Sequence, residues 1–378
     1  MNKKFLIGQL ARFGDCLYAT TIAKQLKEDF PDCHITWAIA DNFKSILESN
    51  SHIDSIWIVE TGAGDYYGES WLRFEEESLK RKRNGEYDEI IFSQIAPKNM
   101  NNFTGTIRES TLNNFNRQIT VSKEPVVCLS EANIQEVKKF VDDNNLQSYK
   151  NVILFECAPS SGQSKITIET AMSIAVKVIK KRDDVIFVIS SACKLNSIEK
   201  RIIDGSLLPF KHNAELTKYC SLLVGCSSGL TWLSTSSWAK KIPMIQVLDK
   251  NSPFFAGVAY DFKLNGIDDT NVIEILSFSE EKIIETILLS ISNKWEEARF
   301  RFHEEYKVSN YNFKCMNRSL ISQYRFIQGY LQIGKYCTNH PHLKYTRLLL
   351  SFLENCLEVI TIELALKIIR RLRRIFYF

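Results

Sequence analysis

Two stretches of the chain place acidic or hydrogen-bonding side chains where a buried strand runs into a helix. In residues 5–15 an apolar strand is followed by a loop, and Gly14 and Asp15 then open a helix. In residues 222–233 a strand ends in two serines and a glycine before the next helix. The N–H groups of a helix start lack backbone partners and carry partial positive charge, so both stretches are candidates for anion chemistry.

The turn of the second stretch consists of Ser227, Ser228, Gly229, Leu230 and Thr231. Its backbone N–H groups and hydroxyls predict a cradle for an anion such as a diphosphate. A serine-rich turn is also typical of a plain N-cap, and the segment by itself leaves that alternative open. The elements around it therefore have to decide between the two.

The chain alternates strands and helices in two successive halves. The expected strands are residues 5–8, 35–40, 55–60, 88–94 and 125–129 in the first half, and 151–157, 185–190, 222–226, 243–248 and 262–264 in the second. This alternation predicts parallel sheets with right-handed crossovers. We expect an α/β protein with two Rossmann-like domains facing a cleft, residues 1–145 and 146–310, joined near the linker-like residues 142–150 and followed by a helical extension, residues 311–378.

Ligands of open parallel sheets lie beyond the carboxyl ends of the strands. Three polar loops fall at these ends in the predicted arrangement. They are Gly14-Asp15, the loop that contains Ser160, Ser161 and Lys165, and the turn of residues 227–231. Their coincidence is the strongest functional signal in the pattern, and it predicts a site in the cleft between the domains.

The composition excludes several classes of protein. The 378 residues carry a net charge of only +4, which argues against nucleic-acid binding. Ten scattered cysteines without a CxxC pair indicate the reduced, packed thiols of a cytoplasmic protein. The apolar run after Lys3 and Lys4 is soon broken by Gln9, and no stretch of about 18 uncharged apolar residues follows, so we expect neither a signal peptide nor a membrane-spanning helix.

Four arginines are candidate ligands of an anionic acceptor: Arg12, Arg73, Arg108 and Arg117. Arg73 belongs to a basic predicted helix, for which a solvated surface face is the alternative. Arg108 and Arg117 lie in a polar and aromatic stretch, residues 99–117, which we interpret as a mobile loop over the cleft.

Residues 345–378 form a separate amphipathic segment with apolar residues at helical spacing. Five basic residues crowd its end beside three aromatic ones: Lys367, Arg370, Arg371, Arg373 and Arg374. A basic amphipathic helix with aromatic ends is typical of a helix that lies on an anionic membrane surface. Packing against the rest of the protein or a second subunit is the alternative.

The segments RFGDCLYATTIAKQLKEDFPDCHITW and VGCSSGLTWLSTSSWAKKIPMIQV resemble glycosyltransferase family 9, the family of the ADP-heptose:lipopolysaccharide heptosyltransferases. The similar regions cover roughly residues 4–60 and 150–260, and the Ser-Gly-Leu-Thr-Trp-Leu sequence is closest to the autotransporter-heptosyltransferase-like branch. The resemblance implies a GT-B architecture and an inverting mechanism. It also implies no metal or cofactor in the chemistry, with a nucleotide-diphosphate sugar as co-substrate.

In this resemblance Asp15 matches the family's Gly-Asp carboxylate, the base that takes the proton of the acceptor hydroxyl. A helix start stabilises an ionised carboxylate, so we expect Asp15 to remain a base at neutral pH; simple capping of the helix is the alternative. Ser160, Ser161 and Lys165 match a hydroxyl pair and a lysine that meets the donor phosphates. A plain surface lysine is the alternative for Lys165.

The sequence departs from the family on the donor side. Ser227 stands where the family has an acid, Trp232 where it has a histidine, and Thr167 where it has a tryptophan after the lysine. These departures bear on the sugar and nucleotide of the donor more than on the reaction.

The expected function is transfer of a heptose or other hexose-like sugar to a lipopolysaccharide or surface-glycan acceptor, by a cytoplasmic protein at the inner membrane face. Three alternatives stay open: a protein (autotransporter) acceptor, a GT-B nucleotide-sugar epimerase, and a catalytically degenerate scaffold that binds nucleotide sugar. The basic tail has no evident use in an epimerase, whereas Ser227 favours the scaffold.

Overall fold

The computed structural model describes residues 2–159, 161–195 and 199–376, without the side chains of residues 63 and 363–376. The N-terminal half contains a parallel sheet of four strands: β1 (Lys4–Gly8), β2 (His34–Ala40), β3 (Ser55–Val59) and β4 (Glu89–Phe92). Their order in the sheet is β3-β2-β1-β4. Because the chain leaves β1 in one direction and returns on its other side, the switch point of this sheet lies between β1 and β4.

The C-terminal half contains a parallel sheet of six strands: β5 (Asn151–Glu156), β6 (Val185–Ser190), β7 (Ile202–Asp204), β8 (Leu222–Gly225), β9 (Met244–Val247) and β10 (Val272–Ile275). The order is β10-β9-β8-β5-β6-β7, so its switch point lies between β5 and β8. These strands are buried nearly throughout, as expected for a parallel sheet covered on both faces.

Helices cover both sheets and continue beyond the second. They are α1 (Phe13–Asp29), α2 (Glu69–Arg83), α3 (Ile107–Leu112), α4 (Glu131–Asp143), α5 (Ile168–Ile179), α6 (Asn213–Leu216), α7 (Gly229–Leu233), α8 (Val258–Leu264), α9 (Glu280–Ile291), α10 (Trp295–Phe302), α11 (Asn310–Ile321), α12 (Phe326–Asn339) and α13 (Tyr345–Phe376). The predicted fold class, two Rossmann-like α/β domains with a helical C-terminal extension, is confirmed.

Two predicted strands are wrong. Residues 125–129 are not a strand, because this crossing segment bonds outside any sheet: the Val126 N–H donates to the Thr20 hydroxyl at 2.8 Å, and the Pro125 carbonyl accepts from Ser237. Residues 262–264 belong to α8, whose first N–H groups, those of Val258 and Ala259, donate to the Glu274 carboxylate at 2.6 and 3.0 Å. The strand that completes the sheet is β10 instead.

The two halves are in close contact. Phe13 at the start of α1 stacks on Phe210 with ring centroids 4.1 Å apart. A buried ion pair joins Arg108 of α3 to Asp261 of α8, with 2.9 Å between Nε and Oδ2. Such contacts stabilise one relative placement of the halves, so the stretch that contains Arg108 is anchored rather than the mobile loop expected from its composition.

The C-terminal extension packs on the N-terminal half as well as on the second sheet. The Lys335 ammonium donates to the Asn101 carbonyl at 2.6 Å, and the His340 Nε2 donates to the Thr104 carbonyl. Burial lowers the pKa of His340 to about 4. The ring is therefore neutral at pH 7, with its Nδ1 accepting from the Tyr260 hydroxyl at 2.8 Å.

One face of α13 packs against α11, where Leu348 and Asn355 are fully buried. Two ion pairs, Lys314–Glu354 and Arg318–Glu358, align the helices in parallel. The opposite face exposes the side chains of Leu350, Leu353, Leu357 and Ile360. The described part of the tail thus follows the packing alternative on one face and leaves an apolar face uncovered. No helix in this description is long and apolar enough to cross a membrane.

Candidate active site

Asp15 lies in the first turn of α1, at the switch point of the N-terminal sheet. The strand before it ends at Gly8, where a Cβ would come within 2.8 Å of Phe92 and 2.9 Å of Phe74. This close packing requires glycine and fixes the end of β1. Arg12 then adopts a left-handed backbone with φ of 56°, which turns the chain sharply into α1.

Burial raises the pKa of Asp15 to about 7, while the neighbouring Arg12 guanidinium opposes this shift. The helix start and Arg12 favour the ionised carboxylate, but the loss of water around it has the larger effect on its pKa. A carboxylate with a pKa near 7 is well suited to accept a proton at neutral pH.

Tyr67 and Cys16 complete the surroundings of Asp15. The Arg12 guanidinium lies close to Tyr67, and burial together with the Asp15 carboxylate raises the pKa of this phenol. Burial also raises the pKa of the Cys16 thiol well above its ordinary value. Cys16 is therefore an unreactive, packed thiol, and Asp15 is the group of this cluster that can exchange a proton near pH 7.

The structure brings the first predicted motif against the second. A Cβ at Gly14 would lie 3.5 Å from the ring of Trp232 in α7, and the Trp232 ring makes an edge contact with Tyr18 at 5.1 Å. Trp232, which stands where the family has a histidine, therefore serves as an apolar contact between α1 and α7. It also places Asp15 beside the turn of residues 227–231.

Glu156, the last residue of β5, occupies the switch point of the second sheet. Its side chain is buried, with 3% exposed. The carboxylate accepts N–H hydrogen bonds from Cys226 at 3.0 Å, Ser228 at 3.4 Å, Leu230 at 2.9 Å and Thr231 at 3.2 Å. It also accepts hydroxyl hydrogen bonds from Ser228 and, at 2.7 Å, from Thr231. The Glu156 side chain thus holds the turn of residues 226–231 by hydrogen bonds from the end of β5.

Gln246 of β9 supports the same turn from a second side. Its Oε1 accepts from the Ser227 N–H at 2.8 Å and lies 3.2 Å from the Thr231 hydroxyl. Ser227 has a left-handed φ of 53°, which a non-glycine residue adopts at a cost of roughly 1–2 kcal/mol. The buried hydrogen bonds to Glu156 and Gln246 offset this cost and keep the turn in one shape.

The predicted diphosphate cradle is corrected by these contacts. The N–H groups of Leu230 and Thr231 and the hydroxyls of Ser228 and Thr231 donate to Glu156, so they are engaged by an internal carboxylate. Moreover, α7 has only five residues, and its aligned peptide dipoles add little positive potential. In the described part of the chain, the Gly229 N–H is the predicted backbone donor that keeps no recorded acceptor.

The loop after β5 lies next to this turn. Gln163 of that loop donates from Nε2 to the Ser227 carbonyl at 3.1 Å, which ties loop and turn together. Ser161 is exposed, and Ser160 lies outside the described residues. The Lys165 ammonium lies 3.2 Å from Asp249 with 65% of its side chain exposed, so Lys165 is a mobile surface cation at the edge of the site.

Two of the four predicted acceptor arginines are corrected. Arg108 is 1% exposed, and its guanidinium is committed to Asp261 and to the Lys123 carbonyl at 2.9 Å, so an acceptor has no access to it. Arg117 pairs with Glu89 and lies over Phe5, at the amino ends of β4 and β1 and hence at the sheet edge opposite Asp15.

The other two arginines remain accessible. Arg12 is exposed beside Asp15, and Arg73 is exposed on α2, where it contacts the Ser70 hydroxyl at 3.4 Å. Within the described residues, no group of three or more His, Cys, Asp or Glu side chains has the arrangement of a metal site.

Comparison with known proteins gives fold neighbours only. No family model matches the sequence, and no curated protein matches it significantly. The structure is similar to a family 9 glycosyl transferase from Veillonella parvula, with 16% identity, a TM-score of 0.58 and coverage of 77% of this chain and 97% of that one. It is also similar to ADP-heptose lps heptosyltransferase II of E. coli, with 12% identity, a TM-score of 0.51 and coverage of 77% and 99%.

This chain has the GT-B fold. A further match, to the dodecameric glycosyltransferase TibC of enterotoxigenic E. coli, has 14% identity and a TM-score of 0.39, with coverage of 91% and 77%. That score is too low to support an argument, so the assignment to an autotransporter-like branch stays a prediction.

Proposed function

We propose that this protein is a metal-independent glycosyltransferase that inverts the anomeric centre of a sugar carried by a nucleotide diphosphate. The observation that carries the proposal is Asp15, a carboxylate with a pKa of about 7 at the switch point of the N-terminal sheet, next to Gly14, which packs against Trp232 of α7. The GT-B fold and the resemblance to family 9 support this reaction class. ADP-heptose is the first donor to test, because the E. coli neighbour carries that name.

In the proposed reaction the oxygen of an acceptor hydroxyl attacks the anomeric carbon while its proton passes to the Asp15 carboxylate. The bond from the anomeric carbon to the diphosphate oxygen breaks, and its electron pair leaves with the nucleotide diphosphate. Inversion requires the base and the leaving group to lie on opposite sides of the sugar, so the proposal places the donor sugar between Asp15 and the turn of residues 227–231.

Fewer groups are then available to bind the donor phosphates than the sequence indicates. Lys165, the Ser161 hydroxyl and the Gly229 N–H remain to meet them, together with Ser160. Glu156 holds the turn and at the same time opposes a bound diphosphate, by about 3 kcal/mol for like charges 5 Å apart at an effective dielectric constant of about 20. We therefore propose that Lys165 is the main phosphate ligand, turning from Asp249 to the donor when it binds.

The pH dependence of transfer tests this proposal. Because a base must be ionised to accept a proton, kcat/KM is expected to rise about tenfold per pH unit below 7 and to level off above it. The measurement is ADP release from ADP-heptose with deacylated lipopolysaccharide as acceptor, between pH 5 and 9. A profile that is flat, or that falls as the pH rises through 7, would contradict the role of Asp15. Release of free sugar without acceptor would instead support the epimerase.

A nucleotide-sugar-binding scaffold without transfer is the second candidate. The position of Glu156 favours it, because a carboxylate fills the place where a leaving diphosphate needs positive charge. Calorimetric binding of ADP-heptose without turnover on any acceptor would identify the scaffold. Absence of nucleotide-sugar binding would contradict both candidates.

We also propose that the end of α13 binds an anionic membrane surface, with a lipopolysaccharide or surface-glycan acceptor presented there. The exposed residues Leu350, Leu353, Leu357 and Ile360 supply the apolar face that such a helix needs. The basic residues that would contact lipid phosphates follow in the sequence: Lys367, Arg370, Arg371, Arg373 and Arg374. Their side chains lie outside the described residues.

Co-sedimentation with vesicles tests the membrane proposal. Changing the five basic residues to glutamine is expected to reduce binding to phosphatidylserine vesicles by at least about tenfold, since each basic residue near such a surface contributes about 1 kcal/mol. The control variant carries the same number of Lys→Gln changes at exposed sites elsewhere, namely Lys80, Lys82, Lys138, Lys139 and Lys180. Equal binding by the two variants, or equal binding to neutral vesicles, would contradict the proposal.

A further inference from the structure

A pocket of about 280 Å³ lies where the C-terminal extension meets the N-terminal half. Its walls come from the start of α2, from the segment after β4 and from the turn that joins α11 to α12. Tyr67, Leu72 and Pro97 form its apolar side, and Lys98, Gln323 and Arg325 form its polar side. The volume is slightly below the roughly 300–1,000 Å³ typical of ligand pockets, which suits one sugar unit rather than a long glycan.

The polar side of this pocket carries two cations of different availability. The Lys98 ammonium is paired with Glu75 at 2.8 Å. Arg325 makes a long hydrogen bond of 3.4 Å to the Asn101 side chain, and its guanidinium has no carboxylate partner among the described residues. Since a guanidinium has five N–H donors in a planar fork, Arg325 retains the donors needed for a carboxylate or a phosphate.

Tyr67 connects the pocket to Asp15. Its ring, 37% exposed, forms part of the pocket wall, while its phenol lies close to the Arg12 guanidinium and the Asp15 carboxylate. A sugar held against the Tyr67 ring is therefore separated from the proposed base by one side chain. The neighbourhood of Tyr67 and Asp15 is the reason for interpreting this pocket as an acceptor subsite.

We infer that this pocket binds an anionic sugar, whose carboxylate or phosphate is held by Arg325 and whose ring lies against Tyr67 and Leu72. The role of this sugar as the acceptor depends on the proposed transferase function, whereas its binding to the pocket does not. It follows that the helical extension forms part of the acceptor site through Arg325, a residue that lies far from both sequence motifs.

Titration of the full-length protein with three monosaccharides tests this inference. Glucuronic acid and glucose 6-phosphate are the anionic probes, one for each source of negative charge, and glucose is the neutral control. We expect at least one anionic probe to bind about tenfold or more tightly than glucose, as measured by ligand-observed NMR at low ionic strength. Arg325→Gln is expected to weaken that probe about tenfold and leave glucose unchanged.

Two further variants guard against indirect effects. Arg318→Gln removes an arginine of the same helical bundle that is paired with Glu358, and it is expected to leave probe binding unchanged. Leu72→Trp places a larger side chain at a half-exposed wall position, and it is expected to abolish binding of all three probes without changing the melting temperature. Equal affinity for glucose and both anions, or equal weakening by Arg318→Gln and Arg325→Gln, would overturn the inference.

The outcome is independent of the transferase proposal. If the protein binds an anionic probe but no nucleotide sugar, the proposed transferase function is refuted and the inference about the pocket is supported. If the protein turns over a nucleotide sugar but binds none of the probes, the transferase function is supported and the inference about the pocket is refuted.

Discussion

Replacement of Glu156 by alanine is expected to lower the free energy of unfolding by roughly 3–5 kcal/mol. The carboxylate accepts hydrogen bonds from four backbone N–H groups and two hydroxyls of the 226–231 turn, and it is 3% exposed. Its loss leaves several buried donors without an acceptor, at about 1–3 kcal/mol each, of which entering water recovers a part. Urea unfolding followed by circular dichroism measures the difference.

The matched control for this experiment is Glu169→Ala. Glu169 lies in the first turn of α5 in the same half of the protein, but its side chain is exposed. A change within about 0.5 kcal/mol is expected there. Glu156→Gln is expected to lower the free energy of unfolding by an amount between those of Glu156→Ala and Glu169→Ala. The amide keeps one acceptor oxygen but turns its NH₂ group toward the N–H groups of the turn. A loss below about 1 kcal/mol for Glu156→Ala would contradict the anchoring role of this side chain.

Asp15→Asn is expected to lower kcat/KM for sugar transfer by about 10²–10⁴-fold while donor affinity stays unchanged. The amide keeps the size of the carboxylate but cannot accept the proton of the acceptor hydroxyl. Transfer is measured by ADP release at pH 8, and donor binding by calorimetry. Full activity in the variant would refute Asp15 as the base and leave the scaffold or a different base.

The same substitution is expected to raise the free energy of unfolding at pH 8, although it lowers activity. The raised pKa of Asp15 means that the folded protein keeps the proton, while the unfolded chain releases it above a pH of about 4. Stability of the wild type therefore falls as the pH rises from about 4 to 7, and Asp15→Asn escapes this loss. The variant is expected to be less active and more stable than the wild type at pH 8, with equal stability near pH 3. A destabilised variant at pH 8 would contradict the buried, raised-pKa state of Asp15.

Most of the sheet structure could be predicted because the strands are short apolar runs between polar loops. The strands β1, β2, β5, β6 and β8 are of this kind, and the predicted ranges overlap all of them. The error at residues 262–264 has a physical reason. Residues 262–264 are a short, mostly apolar run at the end of α8. The run does not reveal that a carboxylate elsewhere in the chain, that of Glu274, accepts the first N–H groups of this helix.

The site could be predicted in part. Gly14-Asp15 and the 227–231 turn do meet, because both follow strands at switch points. The partner of that turn, Glu156, was missed, although an acid at the end of the otherwise apolar strand Asn151–Glu156 is a usable signal. Tyr67 and Arg325 have no such signal, since their positions depend on how distant segments pack. Arg108 was misjudged because its partner Asp261 is remote in sequence.

The hydrogen bonds that Lys335 of α12 and His340, just after α12, make with the N-terminal half bear on how the protein matures. Thr104 is bonded to a histidine 236 positions later in the chain, and Asn101 to a lysine 234 positions later. During synthesis the first sheet leaves the ribosome long before these partners exist. The wall that carries Lys98 therefore stays unfinished until residues 335–340 have been synthesised, and completion of this pocket is a step limited by contacts of very long range.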